Sequence, residues 1–163
     1  MAEIDWTDLS SKITPHFTVK EAIWLPQENR AASGEELTEE IKANLIETFN
    51  WLEKVRVWIG LPIIVTIALR TLKYHLALYE RINAKNRAEG KPEVRVPMGS
   101  KHLNGTAVDF QVARMSCDDV RKKILDEKKL EEWNLRMENN GEGSNWVHLD
   151  SGKPGPSGRY FKP

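Results

Sequence analysis

Apolar residues recur at three- and four-residue steps through Ile41, Leu45, Phe49, Leu52, Val55 and Ile59. That stripe predicts an amphipathic helix over roughly residues 36–59. Gly60 stands where a left-handed C-terminal residue belongs, and Pro62 follows it. Upstream, residues 13–28 form an irregular lead-in. Within it, Thr18 to Glu21 has the spacing of a capping box ahead of a short helix over Val19–Leu25, ended by Pro26. Ser33 to Glu36 is a second capping-box candidate. The β-branched, apolar run Pro62–Ala68 predicts a buried strand. Leu72, Leu76, Tyr79 and Ile82 predict a second long helix over 72–88, stopped by Gly90 and Pro92.

Further along, Thr106–Val112 has the composition of a strand, and Ser116 or Asp118 caps a helix running to Leu125. Leu130–Met137 and Asn145–Asp150 are expected as two more strands joined by a Gly/Asn-rich turn. The tail 151–163 is rich in Gly and Pro and suits a wrap or a frayed end. Helices and strands that do not alternate regularly point to an α+β domain, a small antiparallel sheet with packed helices.

Composition narrows the class. A chain of 163 residues suggests one domain over 1–163, with a lead-in over 1–35 and a C-terminal wrap or tail over 151–163. Lys plus Arg and Asp plus Glu are each 24, so the net charge is zero. No strong pull toward nucleic acid or an anionic membrane follows, and a monomer is expected. The single cysteine, Cys117, excludes an intramolecular disulfide framework. The start Met1-Ala2-Glu3-Ile4-Asp5-Trp6 lacks the basic and apolar regions of a secretory signal. The apolar stretch Ile59–Leu69 contains Gly60 and Pro62 and is too short to insert in a membrane. Synthesis in the cytoplasm is therefore expected.

The candidate chemistry lies in two places. One is the run Ser100-Lys101-His102-Leu103-Asn104-Gly105-Thr106-Ala107-Val108-Asp109, and the other is Trp146-Val147-His148-Leu149-Asp150. Two imidazoles and a carboxylate make a three-ligand set that leaves a fourth position on zinc open for water. Gly105 can turn the chain sharply between His102 and Asp109, whose spacing suits one ligand on each arm of a turn. Alternation puts Trp146, His148 and Asp150 on one face of their strand. Singly, each of these residues is better explained as an ordinary loop or half-buried position; only together do they point to a site. His16 and His75 suit structural roles, and most of the tryptophans suit packing. The Lys122-Lys123 and Lys128-Lys129 pairs alternate with acids as on a solvated helical face.

The pattern Ser100-x-His102-x-x-Gly105-x-Ala107-x-Asp109, followed by Trp146-Val147-His148-Leu149-Asp150, resembles the zinc D-alanyl-D-alanine carboxypeptidase family. That family includes vancomycin-resistance D,D-peptidases and phage L-alanyl-D-glutamate endolysins, and its fold is shared with the hedgehog signalling domain. Thr14–Glu21, the helix end Leu52-Glu53-Lys54-Val55-Arg56 and the step Gly60-Leu61-Pro62-Ile63 are similar as well. The resemblance implies a hedgehog/D,D-peptidase-like fold, with zinc on His102, Asp109 and His148. It also implies hydrolysis of a peptide bond in bacterial peptidoglycan stem peptides. Arg70 falls where the family has an arginine that stabilises the oxyanion or holds a substrate carboxylate. Ser100 and Trp146 are candidates for substrate binding.

Two departures matter. Thr66-Ile67-Ala68-Leu69-Arg70 replaces the family's usual turn before the arginine. Asn145 stands three residues before the last histidine, where many members have a catalytic acid, and an amide takes no proton from water. Glu142, six before His148, is the expected proton carrier, with Glu138 the second candidate. The implied protein is a phage or prophage endolysin, or a peptidase module of a bacteriophage particle, acting on the cell wall after release. The alternative, supported by Asn145, is a non-catalytic zinc-binding structural or recognition module of the same fold.

Overall fold

The computed structural model describes residues 3–163. Met1 and Ala2, the first residues of the stretch that lacks a secretory signal, lie outside them. The chain begins with helix α1 (Val19–Ile23), where Glu21 accepts from the Thr18 backbone at 2.8 Å. This is the expected capping box, but the helix stops two residues early. Trp24–Leu25 (β1) instead turns to pair with Arg30–Ala31 (β2) as a small antiparallel hairpin. The second box is half present: Glu36 accepts from Ser33 N at 2.6 Å. Glu36 also receives both terminal nitrogens of Arg30, and the long helix starts later.

That helix, α2 (Glu39–Ile59), is capped by Thr38, whose hydroxyl accepts from Ile41 N at 3.2 Å. Glu39 and Glu40 complement the positive end of its dipole. Leu45, Phe49, Leu52 and Val55 are fully buried along one stripe. Gly60 ends the helix at φ 68°. Strand β3 (Ile63–Ile67) and helix α3 (Leu72–Ala88) follow, then a single 3-10 turn (Lys101–Asn104) and strand β4 (Ala107–Val112). Helix α4 (Cys117–Asp126) is capped by Ser116.

The expected strand over Leu130–Met137 is corrected by the structure. Lys129–Trp133 is a helical turn, α5, bracketed by left-handed Lys128 (φ 52°) and Asn134 (φ 55°). Only Arg136–Glu138 is strand, β5. Strand β6 is Val147–Asp150. The tail is a wrap that ends in β7 (Tyr160–Phe161).

The main sheet runs in the order β3-β4-β6-β5-β7. Its first three pairings are antiparallel, and the last, β5 with β7, is parallel. Alternation divides it into two faces. Val108, Phe110, Val112, Val147, Leu149 and Met137 join the apolar core with α2 and α4. Asp109, His148, Asp150, Arg136 and Glu138 fall on the other face. Among the described residues no helix is long and apolar enough to cross a membrane.

The 3-10 turn is fastened to α2 from both sides of its end. Asn44 Nδ2 donates to Asn104 O at 2.9 Å, and Thr48 Oγ1 donates to Gly105 O at 2.8 Å. Gly105 has φ 74°, and a Cβ there would lie 3.0 Å from Leu45 Cγ. Gly105→Ala is therefore expected to cost about 1–3 kcal/mol of stability, from the left-handed backbone and the contact with Leu45. Urea denaturation measures it; parent-like stability would mean that Leu45 and the turn relax freely.

Candidate metal centre

His102, Asp109 and His148 come together through three different local devices. His102 is carried by the 3-10 turn. Its Nδ1–H donates to Ala68 O at 2.7 Å, and its own carbonyl accepts from Arg70 N at 3.0 Å. The turn Ala68-Leu69-Arg70 after β3 thus grips the residue at ring and backbone. Asp109 and His148 are directly opposite one another on β4 and β6, so the sheet register itself makes them a cross-strand pair.

Ligand atoms of the three residues lie within 4.8 Å of one another, and all three side chains are buried. Asp109 Oδ1 is 3.2 Å from His102 Nε2 and 2.8 Å from His148 Nδ1. Zinc bonds of about 2.0–2.1 Å in a tetrahedral arrangement require ligand separations of about 3.3 Å. The His102–Asp109 separation of 3.2 Å matches that geometry, and the 2.8 Å between Asp109 and His148 must open by about half an ångström.

A second observation points the same way. His102 Nδ1 spends its proton on Ala68, so Nε2 presents a lone pair. That lone pair is buried, has no hydrogen-bond partner, and faces a carboxylate oxygen at 3.2 Å. Two electron-pair donors held so close repel unless a cation lies between them.

The electrostatics of the group follow from burial and mutual contact. Burial pushes His102 below the ordinary histidine value, favouring the neutral ligand form. Burial acts the same way on His148, but the Asp109 and Asp150 carboxylates on its two nitrogens outweigh it and raise it to about 9. A proton on Nδ1 and a metal ion compete for one lone pair. Asp109 resists burial because His102 and His148 hold its carboxyl well below the usual range. Its second oxygen, Oδ2, accepts from Arg70 Nη2 at 3.2 Å. Arg70 Nε is buried without a partner.

The structure brings Arg70 to the cluster despite the altered turn before it. It does not bring Glu142 there. Glu142 is exposed and lines a cleft with Asp118, Arg121 and Lys122 of α4, in which none of the three ligands takes part. Gly143 N donates to Asp118 Oδ2 at 2.9 Å and Arg121 Nη2 donates to Gly141 O at 3.3 Å, fixing that loop against α4. The carboxylate beside the cluster is Glu138, with Oε2 3.9 Å from His148 Nδ1. Burial raises its pKa above the ordinary glutamate value, against the pull of His148. Ser100 opens the 3-10 turn and accepts from Leu103 N through its carbonyl at 3.1 Å. Trp146, half-buried, precedes β6, and its carbonyl accepts from Arg121 at 2.7 Å and from Asn140 at 3.0 Å.

Two residues that had no expected role at the site also act on the cluster. Asp150 accepts from His148 Nε2 at 3.0 Å. Burial opposes its charge, but His148 and Arg136 bring it down to about 2. Tyr79 of α3 feels the charges of Arg70, Glu138 and Asp109, and burial raises its phenol. A helix period shows Tyr79 only as one more apolar position.

Nitrogen and oxygen donors around one point, with a carboxylate and a guanidinium at its margin, make a metallohydrolase type of site. A family model described as Peptidase M15 matches residues 15–150, and the chain belongs to that family. Its members are typically metal-dependent peptidases, and the His-Asp-His group is the set here that could bind the metal. No curated protein and no solved structure matches the chain.

Proposed function

We propose that this chain is a zinc peptidase that hydrolyses a peptide bond in bacterial peptidoglycan stem peptides. The observation that carries the reading is the buried lone pair of His102 Nε2 facing Asp109, with His148 Nδ1 completing the donor set. Two imidazoles and one carboxylate are a catalytic zinc set that keeps one position open. When bound, the metal supplies Lewis acidity and a water of lowered pKa.

The chain's own residues do the rest. Glu138, half-buried and next to His148, takes a proton from the attacking water and returns it to the leaving amine. Arg70, steadied by Asp109, sets its positive charge against the developing oxyanion or a substrate carboxylate. Asp109 therefore serves both sides of the site. Glu138 also answers the case for a non-catalytic module, since it stands in for the acid absent at Asn145. The peptidoglycan substrate rests on the motif resemblance, as does a role in a phage lytic enzyme or particle.

Purified peptidoglycan tests the reading. The protein should release free amines, a chelator should stop the release, and zinc should restore it. Mass spectrometry of the fragments names the bond. Zinc-loaded protein that leaves peptidoglycan and its stem peptides intact would overturn the proposal.

A further inference from the structure

On the site face of the sheet, Arg136 lies directly opposite Asp150 in the β5–β6 register. Arg136 Nε donates to Asp150 Oδ1 at 2.8 Å, and Nη2 donates to Oδ2 at 3.0 Å. Gly152 N adds a bond to Oδ1 at 2.8 Å, and His148 Nε2–H adds one to Oδ2 at 3.0 Å. Each carboxylate oxygen thus accepts two hydrogen bonds, and the group has no freedom left to rotate. Phe161 of β7 covers the assembly. The Arg136 guanidinium carbon sits 4.4 Å from its ring centre, and the His148 ring meets it edge-on at 6.3 Å. The backbone closes in as well: a Cβ on Gly152 would come within 2.8 Å of both Arg136 Nη2 and Asp150 Oδ1.

Asp150 is fully buried. A buried ion pair is a poor source of stability, because desolvation offsets the attraction, and an apolar pair of similar size serves folding as well or better. Its value here lies in what it does to His148. We propose that Asp150, clamped by Arg136 and Phe161, is a positioning residue that keeps the proton of His148 on Nε2 and points Nδ1 at the metal. Partners behind a ligating histidine fix its tautomer and ring orientation, and their loss weakens metal binding about 10–100-fold. The C-terminal wrap is therefore part of the metal site. The inference rests on the metallopeptidase reading but not on its substrate.

The test replaces both charges at once, Arg136→Met with Asp150→Leu, so that no lone charge stays buried. Zinc affinity is read by competition with a chromogenic chelator, and folding by circular dichroism of the metal-free protein. A folded double variant that binds zinc about 10–100-fold more weakly than the parent supports the positioning role. Phe161→Ala should shift affinity in the same direction. Equal affinity in the double variant and a tightly binding parent overturns the proposal and leaves the metallopeptidase reading standing. A parent that takes up no zinc overturns both. Should the double variant not fold, nitrogen-15 spectra of the zinc-loaded parent decide: Nε2 of His148 should carry the proton, and ligation through Nε2 overturns the proposal.

Discussion

Glu138→Gln is expected to keep the fold and the metal while turnover falls by about 10²–10⁴-fold, the usual worth of a positioned general base. The substitution preserves shape and hydrogen-bonding length and removes only the titrating group. Glu138 is not one of the three grouped ligands, and its Oε2 lies 3.9 Å from His148 Nδ1. Metal content should therefore match the parent. Glu142→Gln is the paired control, because Glu142 belongs to the exposed cleft along α4. Rates of stem-peptide cleavage by the two variants decide the matter. A parent-like Glu138→Gln with an inactive Glu142→Gln would return the role to the loop.

The contest between these two glutamates shows what a linear spacing conveys. Counting back from His148 favours Glu142, but the count assumes a short β5–β6 connection. The observed register pairs Arg136 with Asp150 and Met137 with Leu149. Continued by one residue, it sets Glu138 opposite His148 and loops out everything between. Pairing register depends on turn geometry that composition does not disclose. The candidate ligand set was legible because its constraints are local: a glycine turn before a strand, and a histidine alternating with core residues. Helices α2, α3 and α4 were legible from period and caps. The α5 turn was not, because Leu130, Trp133 and Leu135 suit strand and helix equally in so short a run. Nor was β7, whose two residues have no period and whose parallel pairing with β5 is a long-range event. That hidden strand is what carries Phe161 to Arg136.

Asp109→Ala should remove the metal and, with it, all measurable turnover. Three protein ligands cannot spare one, and the loss should exceed the roughly 100-fold upper end seen for partners behind a ligand. Asp109 is the severest choice of the three because of its position. One oxygen lies against both histidines and the other accepts from Arg70. Alanine strands the Arg70 guanidinium in a nearly closed site, where Nε already lacks a partner. It also takes from His148 one of the two carboxylates that hold its pKa near 9. The two histidines and Arg70 would then lose the one carboxylate that touches all three of them. Metal analysis after dialysis, beside peptide-cleavage rates, measures both consequences. A variant that keeps a full equivalent of zinc would show that the ion sits elsewhere. One that loses its zinc yet cleaves at the parent rate would show that hydrolysis does not depend on this centre.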